Sequence, residues 1–332
     1  MTSTHHSTDL LASAVAAGLV TVREVTAGAV VMRGTALLLH HRVIAYAVPV
    51  VESETPVGSR EQSCLRLLAD SGLVPEVLRG TDDGVLWTEA VRGTRLRELT
   101  GTMADLADAC QSWGASLAGL HLTRIPAGSE PPVAPRPWVL DPERTPRGMR
   151  QASAGSARAY VLRTLRCDLG LLRTASRAAD RWSTDHWTHA DLTADRVLVQ
   201  RLPDLRVRFV DLRGSGLGDP AWDLAGALET VAELTAGRRA PWGATSGACL
   251  SDFLLQGYRR AGGSAVVDAG TRSLRIIDRA WELAAALDAR AGHPATMHPA
   301  AGHPVEASRL TERLRLAREL AARSARPGLV AA

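Results

Sequence analysis

Lysine is absent from this chain: every one of its 39 Lys+Arg residues is an arginine. A site that grips phosphate through an ammonium group therefore cannot be built here. The absence itself reads as a signature of GC-rich coding DNA, with arginine taking over surface roles. Cysteine is sparse. Cys64, Cys110, Cys167 and Cys249 are scattered and form no Cys-x-x-Cys pair, which fits a reduced, cytoplasmic protein rather than a disulfide framework. A strong charge of either sign is missing too. The formal net charge of +4 and pI near 9.2 are too weak to imply nucleic acid, and no arginine–aromatic interleaving offers stacking platforms. Long apolar runs are lacking as well. Leu10 to Val20 is apolar but follows Asp9 and is shorter than a membrane span, so it is expected to be a first helix and not a membrane anchor. What remains is a chain of 332 residues, 45% hydrophobic and 22% charged, long enough for one or two domains with a full core.

The most informative stretch is WTHADLTADRVLVQRLPDLRVRFVDLRGSGLGDPAWDL, residues 187–224. It contains two short apolar strand-like runs, each with an aspartate at one end. Asp191 precedes Val197-Leu198-Val199, and Asp211 closes Val207-Arg208-Phe209-Val210. A hairpin brings both carboxylates to one sheet edge. Phosphoryl transfer needs such a pair, one to orient a hydroxyl nucleophile and one to hold a metal against the triphosphate.

His189, Asp191, Asp211, Gly218, Asp219, Pro220, Asp223 and Leu224 together resemble the catalytic segment of the aminoglycoside phosphotransferase (APH) family, a branch of the protein-kinase-like fold. That resemblance implies an ATP-dependent (or other NTP-dependent) enzyme using Mg²⁺. Asp191 would be the base that accepts or orients the acceptor proton. His189 would brace the loop beneath it, and Asp211 would hold the metal. Asp223 is expected to tie backbone amides together at a helix start. Two departures stand out. Where the family carries Asn or Gln, this chain has Arg196. A guanidinium has no lone pair for a metal, but it can lie against phosphate oxygens as a fixed charge. Asp195, next door, is a further oxygen donor. The second departure is the missing strand lysine: matching AYAVPV to the family strand puts Ala47 at its position. Glu61, which that match makes the lysine's partner, is left without it, with Arg42 or Arg60 as compensating cations. Glu89-Ala90-Val91 would be the hinge that reads a nucleobase edge. Gly28 is a weak phosphate-loop candidate, since no GxGxxG is present.

The remaining pattern predicts strands in VTVREV, AVVMRG, TALLLHH and RVIAYAVPVV, with turns at Gly28 and Gly34. A helix over residues 60–71 is capped by Gly72, and VPEVLRG and VLWTEAV follow as strands around a turn at Asp82-Asp83-Gly84. Ala104 to Thr123 reads as an amphipathic helix with Leu106, Trp113, Leu117 and Leu120 on one face. Ile125 to Pro137 reads as a proline-rich loop. Helices are expected from Ser153 toward Trp182 and over 222–236, 247–261, 271–291 and 309–324. The class is thus α+β and protein-kinase-like: residues 1–91 as a small antiparallel-sheet lobe, and 92–332 as a mostly helical lobe carrying the 187–224 hairpin. The tryptophans are expected in the core. His293, His298 and His303, each followed by proline, are expected in a solvated loop.

No acidic cluster marks the expected acceptor region, so a polycationic acceptor is disfavoured. PWVLDPE, the helix before the hairpin and DPAWDLAGAL resemble phosphotransferase-like proteins of actinobacterial modified-peptide (lanthipeptide- or thioamitide-like) pathways. That implies a Ser or Thr hydroxyl of a precursor peptide as acceptor, with a small-molecule alcohol as the other option. A second possibility stays open: a degenerate pseudokinase, binding nucleotide or peptide as the partner of another enzyme.

Overall fold

The computed structural model describes residues 7–33, 35–49, 57–80, 85–144, 155–201, 204–237, 245–290 and 304–324. Gly34, the 82–84 turn, Trp242 and the histidines at 293, 298 and 303 lie outside them. The chain forms two compact units. One is built from Met1–Pro135, Thr184–Gly218 and Thr230–Ser264, the other from Arg136–Ser183, Asp219–Glu229 and Ala265–Ala332.

The first unit opens with the expected helix, α1 (Ser7–Ala16). VTVREV is not a strand but a short helix, α2 (Val22–Thr26). Its reason is local: Thr21 accepts from the Glu24 amide at 3.2 Å while Glu24 accepts from the Thr21 amide at 2.7 Å. This reciprocal capping box satisfies two amides that a helix start would otherwise orphan. Gly28, at φ +71°, ends that helix and forms no strand turn.

Strands β1 (Val30–Arg33), β2 (Ala36–Leu39), β3 (Arg42–Pro49), β4 (Val77–Gly80) and β5 (Val85–Glu89) make a five-stranded sheet in the order β1-β2-β3-β5-β4. Each neighbouring pair is antiparallel. Alternation decides the faces. Val30, Met32, Leu37, Ala45, Ala47 and Trp87 join Leu10, Ala14 and Ala17 of the first helical segment in one apolar cluster. Trp87 Nε1 lies 3.2 Å from Ser13 Oγ. Each large apolar side chain so buried contributes about 1.5–3 kcal/mol relative to exposure. Helix α3 (Val57–Leu67) follows β3, and Gly72 takes the left-handed cap at φ +68°.

Helix α4 (Met103–Leu122) starts on a second capping box, Thr102 with Asp105. It buries Leu106, Trp113, Leu117 and Leu120, the face read from the sequence. It packs on α8 (Thr245–Arg260) through glycines. A Cβ on Gly114 would meet the Leu254 carbonyl oxygen at 2.0 Å, and one on Gly257 would meet that of Gln111 at 1.9 Å. Only residues without a side chain permit so close a crossing. Three further pairings complete the unit: β6 (Thr94–Arg95) with β8 (Val197–Gln200), β8 with β9 (Arg206–Phe209), and β7 (His186–Thr188) with β10 (Gly216–Gly218).

The second unit is helical: α5 (Ala157–Cys167), α6 (Leu169–Arg181), α9 (Ala269–Arg290) and α10 (Pro304–Ser324), with the first turns of α7 (Pro220–Gly237). Its core gathers Val161, Leu165, Leu171, Trp222, Ile277 and Leu314. Arg275 stacks over Trp222 at 4.9 Å. Among the described residues, no helix is long and apolar enough to cross a membrane.

Candidate active site

The β8–β9 hairpin carries the site. His189, just after β7, is fully buried. Its Nε2 donates to the Val210 carbonyl at 3.0 Å, and its ring meets Phe209 edge-on at 6.1 Å. The Ser215 hydroxyl donates to the His189 carbonyl at 3.3 Å. The imidazole thus pins the loop after β7 to the end of β9. Ala190 then takes φ +62°, turning the chain so that Asp191 emerges 36% exposed.

Arg196 joins the two aspartates predicted to converge. Its Nε donates to Asp211 Oδ2 at 2.9 Å. Its Nη1 donates to the Asp191 carbonyl at 2.7 Å and pairs with the Asp191 carboxylate. Residues twenty positions apart in sequence therefore share one guanidinium. Asp211 sits at φ +62°, ψ +66°, a left-handed turn at the strand end. It has a second cation: Arg213 donates from Nε to Oδ1 at 2.5 Å and from Nη2 to Oδ2 at 2.8 Å. Burial pushes the Asp211 carboxyl upward, but the Arg213 hydrogen bonds and the charges of Arg196 and Arg213 outweigh it. They hold the group below the usual carboxylate range. Asp195, expected to offer an oxygen to the same metal, is instead paired with Arg97 at 2.8 Å.

On the sheet side, Glu61 has no strand cation but still reaches the hairpin: the Leu212 amide donates to its Oε1 at 3.0 Å. Burial pushes Glu61 above the usual carboxylate range and the Asp211 charge adds to the shift. The Leu212 amide, Arg213 and Arg196 oppose it. The compensating cations are thus Arg213 and Arg196, not Arg42, which begins the exposed end of β3, nor Arg60. Ala47 packs in the core on the α1 side and borders the cleft together with Tyr46 and Val48. Nearby Cys64 is inert, its thiol pushed up to about 12 by burial.

Between sheet and hairpin, within the first unit, lies a cavity of about 640 Å³, the size range of small-ligand sites. Glu61, Glu89, Val91, Asp211 and Arg213 line it, with Val48 and Tyr46 above and Leu198 and Val210 below. Glu89 is fixed by Arg208 and by the Glu76 amide at 3.0 Å, which orders the Glu89–Val91 segment. Gly28 is not on this wall; Thr35, beside the β1–β2 turn, is. Sequence reading missed Arg213. Its signal was a cation two residues past the strand-end aspartate in a chain that has no lysine.

Among the described residues, no group of three or more His, Cys, Asp or Glu side chains could hold a metal. Asp211 nonetheless fits one divalent cation. It lies on the cavity wall, with both oxygens held by Arg196 and Arg213, and its lone pairs would be open to a cation once an arginine turned aside. Mg²⁺ commonly takes one or two carboxylates and completes its shell with phosphate oxygens and water. Asp219 and Asp223 belong to the second unit. There Asp219 accepts from the Ala221 amide at 2.9 Å and Asp223 is fully buried in the first turn of α7.

Several solved structures share the fold. An amicoumacin kinase in complex with AMP-PNP and Ca²⁺ superposes with a TM-score of 0.55 at 14% identity, covering 88% of both chains. A Ralstonia eutropha protein provisionally named an aminoglycoside phosphotransferase gives 0.57 at 14%, over 87% of this chain and 88% of that one. A choline/ethanolamine kinase family protein from Mesorhizobium loti gives 0.50 at 18%, over 88% of each. These likenesses establish the kinase-like α+β fold. No curated protein matches the chain in sequence. The model of the phosphotransferase enzyme family, APH, matches residues 51–265, and the chain belongs to that family.

Proposed function

We propose that the chain transfers the γ-phosphate of ATP, or of another nucleoside triphosphate, to a hydroxyl acceptor. The observation that carries this is the meeting of Asp191 and Asp211 on one guanidinium, with Asp211 on the wall of a cavity of ligand size. The nucleobase lies against Glu89–Val91, between Tyr46 and Leu198. Asp191 accepts the proton as the acceptor oxygen attacks the γ-phosphorus, the bond to the β–γ bridging oxygen breaks, and the nucleoside diphosphate leaves. Asp211 would be the residue to hold a Mg²⁺, whose charge would offset that of the phosphates. Asp195, tied to Arg97, stays outside this set.

The acceptor is a neutral or weakly charged alcohol. A small-molecule alcohol and the Ser or Thr hydroxyl of a precursor peptide both meet that description. The peptide option rests on the resemblance of PWVLDPE and DPAWDLAGAL to phosphotransferase-like proteins of modified-peptide pathways. The deciding experiment incubates the purified chain with Mg·ATP and a panel of small alcohols and Ser/Thr peptides, following phosphorylated product by mass. A phosphorylated acceptor supports the proposal. ATP binding with no acceptor modified would overturn it in favour of a binding-only partner protein.

A further inference from the structure

A triphosphate brings several negative charges, and this cavity is walled by Glu61, Glu89, Glu98 and Asp211. Unrelieved, such a wall repels the ligand. No lysine exists to relieve it. Glu61 is engaged by the Leu212 amide, and the β3 residues on the wall, Tyr46, Ala47 and Val48, carry no charge.

Arg95 and Arg213 are the arginines on the cavity wall; Arg213 contacts Asp211, and so does Arg196, which stands at the open end of the β8–β9 hairpin. Arg213 lines the cavity and its side chain is 61% exposed. Its Nε and Nη2 hold Asp211, leaving Nη1 without a partner among the described residues. Arg196 holds Asp211 through Nε and Asp191 through Nη1, so it lies between the two carboxylates that the reaction employs. A guanidinium presents a planar fork of donors suited to bidentate phosphate contact. Neither arginine needs more than a side-chain rotation to trade a carboxylate oxygen for a phosphate one.

We infer that Arg213 and Arg196 form the polyphosphate-gripping site of this chain, supplying from the open end of the β8–β9 hairpin the charge that the strand does not. Asp211 holds both guanidiniums in place until a nucleoside triphosphate arrives. The inference rests on the proposed function only in taking the ligand to be a nucleoside triphosphate.

Isothermal titration of the full chain in EDTA tests it, with adenosine, ATP and tripolyphosphate as probes. Wild type should bind ATP at least about tenfold more tightly than adenosine, and should bind tripolyphosphate. Arg213→Gln should lose that margin and the tripolyphosphate binding while keeping its adenosine affinity. Arg213→Lys, which restores a charge but not the fork, should recover part of the margin, and it serves as the measurement should the Gln variant fail to fold. Full retention of the ATP margin in Arg213→Gln would overturn the inference, as would a wild type that binds neither ATP above adenosine nor tripolyphosphate. Tripolyphosphate carries no base. Its binding, lost in Arg213→Gln while adenosine fails to bind any variant, would uphold the cation pair and defeat the nucleoside-cleft reading alone.

Discussion

At the scale of single residues, the site is organised by arginine. Asp191 and Asp211 are like charges, and their repulsion is offset by Arg196, which contacts both, and by Arg213 on Asp211. Asp191→Asn keeps the shape and removes the basic oxygen. It should reduce turnover by about 10²–10⁴-fold in a phosphate-transfer assay while nucleotide affinity, measured by titration, is unchanged. Equal turnover would remove Asp191 from the proton-accepting role. Much of this arrangement was legible in the sequence, because spacing and strand polarity place both aspartates at one hairpin edge. The compensating cation was not. Arg42 and Arg60 drew attention by nearness in sequence to the strand and to Glu61, yet the electrostatic solution is non-local. It reaches Glu61 from Arg213, 152 positions on. The chain also contains no asparagine, and position 196 carries arginine where the family pattern has a neutral amide.

At the scale of elements, most helices and strands follow from periodicity, and the exception is instructive. VTVREV carries three valines and reads as a strand, but Thr21 and Glu24 stand in capping-box register, and that local pattern prevails. The close approach of α4 and α8 was not legible, since a glycine in a helical pattern does not announce what will press on it. Gly114→Ala and Gly257→Ala each place a methyl within 2.0 Å of a carbonyl oxygen, and no flexible side chain is there to yield. Each should cost about 1–3 kcal/mol in denaturant unfolding. Because α4 also packs on β7 and β9, turnover should fall with stability. A variant as stable as wild type would show that the crossing can open freely. In the second unit, Asp268 precedes α9 and accepts from the Thr271 amide at 2.6 Å. Burial raises its carboxyl, but the Thr271 bond and Arg181 lower it further, leaving it below the usual range. The sign follows: its stabilisation is present above the unfolded value of about 3.9 and is lost as pH falls through the lower folded value. Asp268→Ala should therefore cost about 1 kcal/mol near neutrality, and the gap to wild type should close below about pH 4 in pH-dependent melts.

At the scale of the whole molecule, the two compact units are interleaved along the chain. Met1–Pro135, Thr184–Gly218 and Thr230–Ser264 build one, and the stretches between and after build the other. No single linker separates them. The first unit's sheet precedes position 135 but its aspartates lie beyond 184, so neither unit completes its own core before the chain has threaded through the other. The cavity belongs to the first unit alone. Connectivity of this kind favours unfolding as one event, and a ligand that binds only one unit should then stabilise both. With Mg·ATP at about a hundredfold over its dissociation constant, the gain is about 2.7 kcal/mol. For a chain of this size unfolding as one event, that corresponds to a rise of roughly 4 °C in Tm. Scanning calorimetry should show one transition moving upward as a whole. A split trace, with one component displaced and the other unmoved, would mean that the units melt independently despite their shared threading. No shift at all under saturating Mg·ATP would count against nucleotide as the occupant of the cavity.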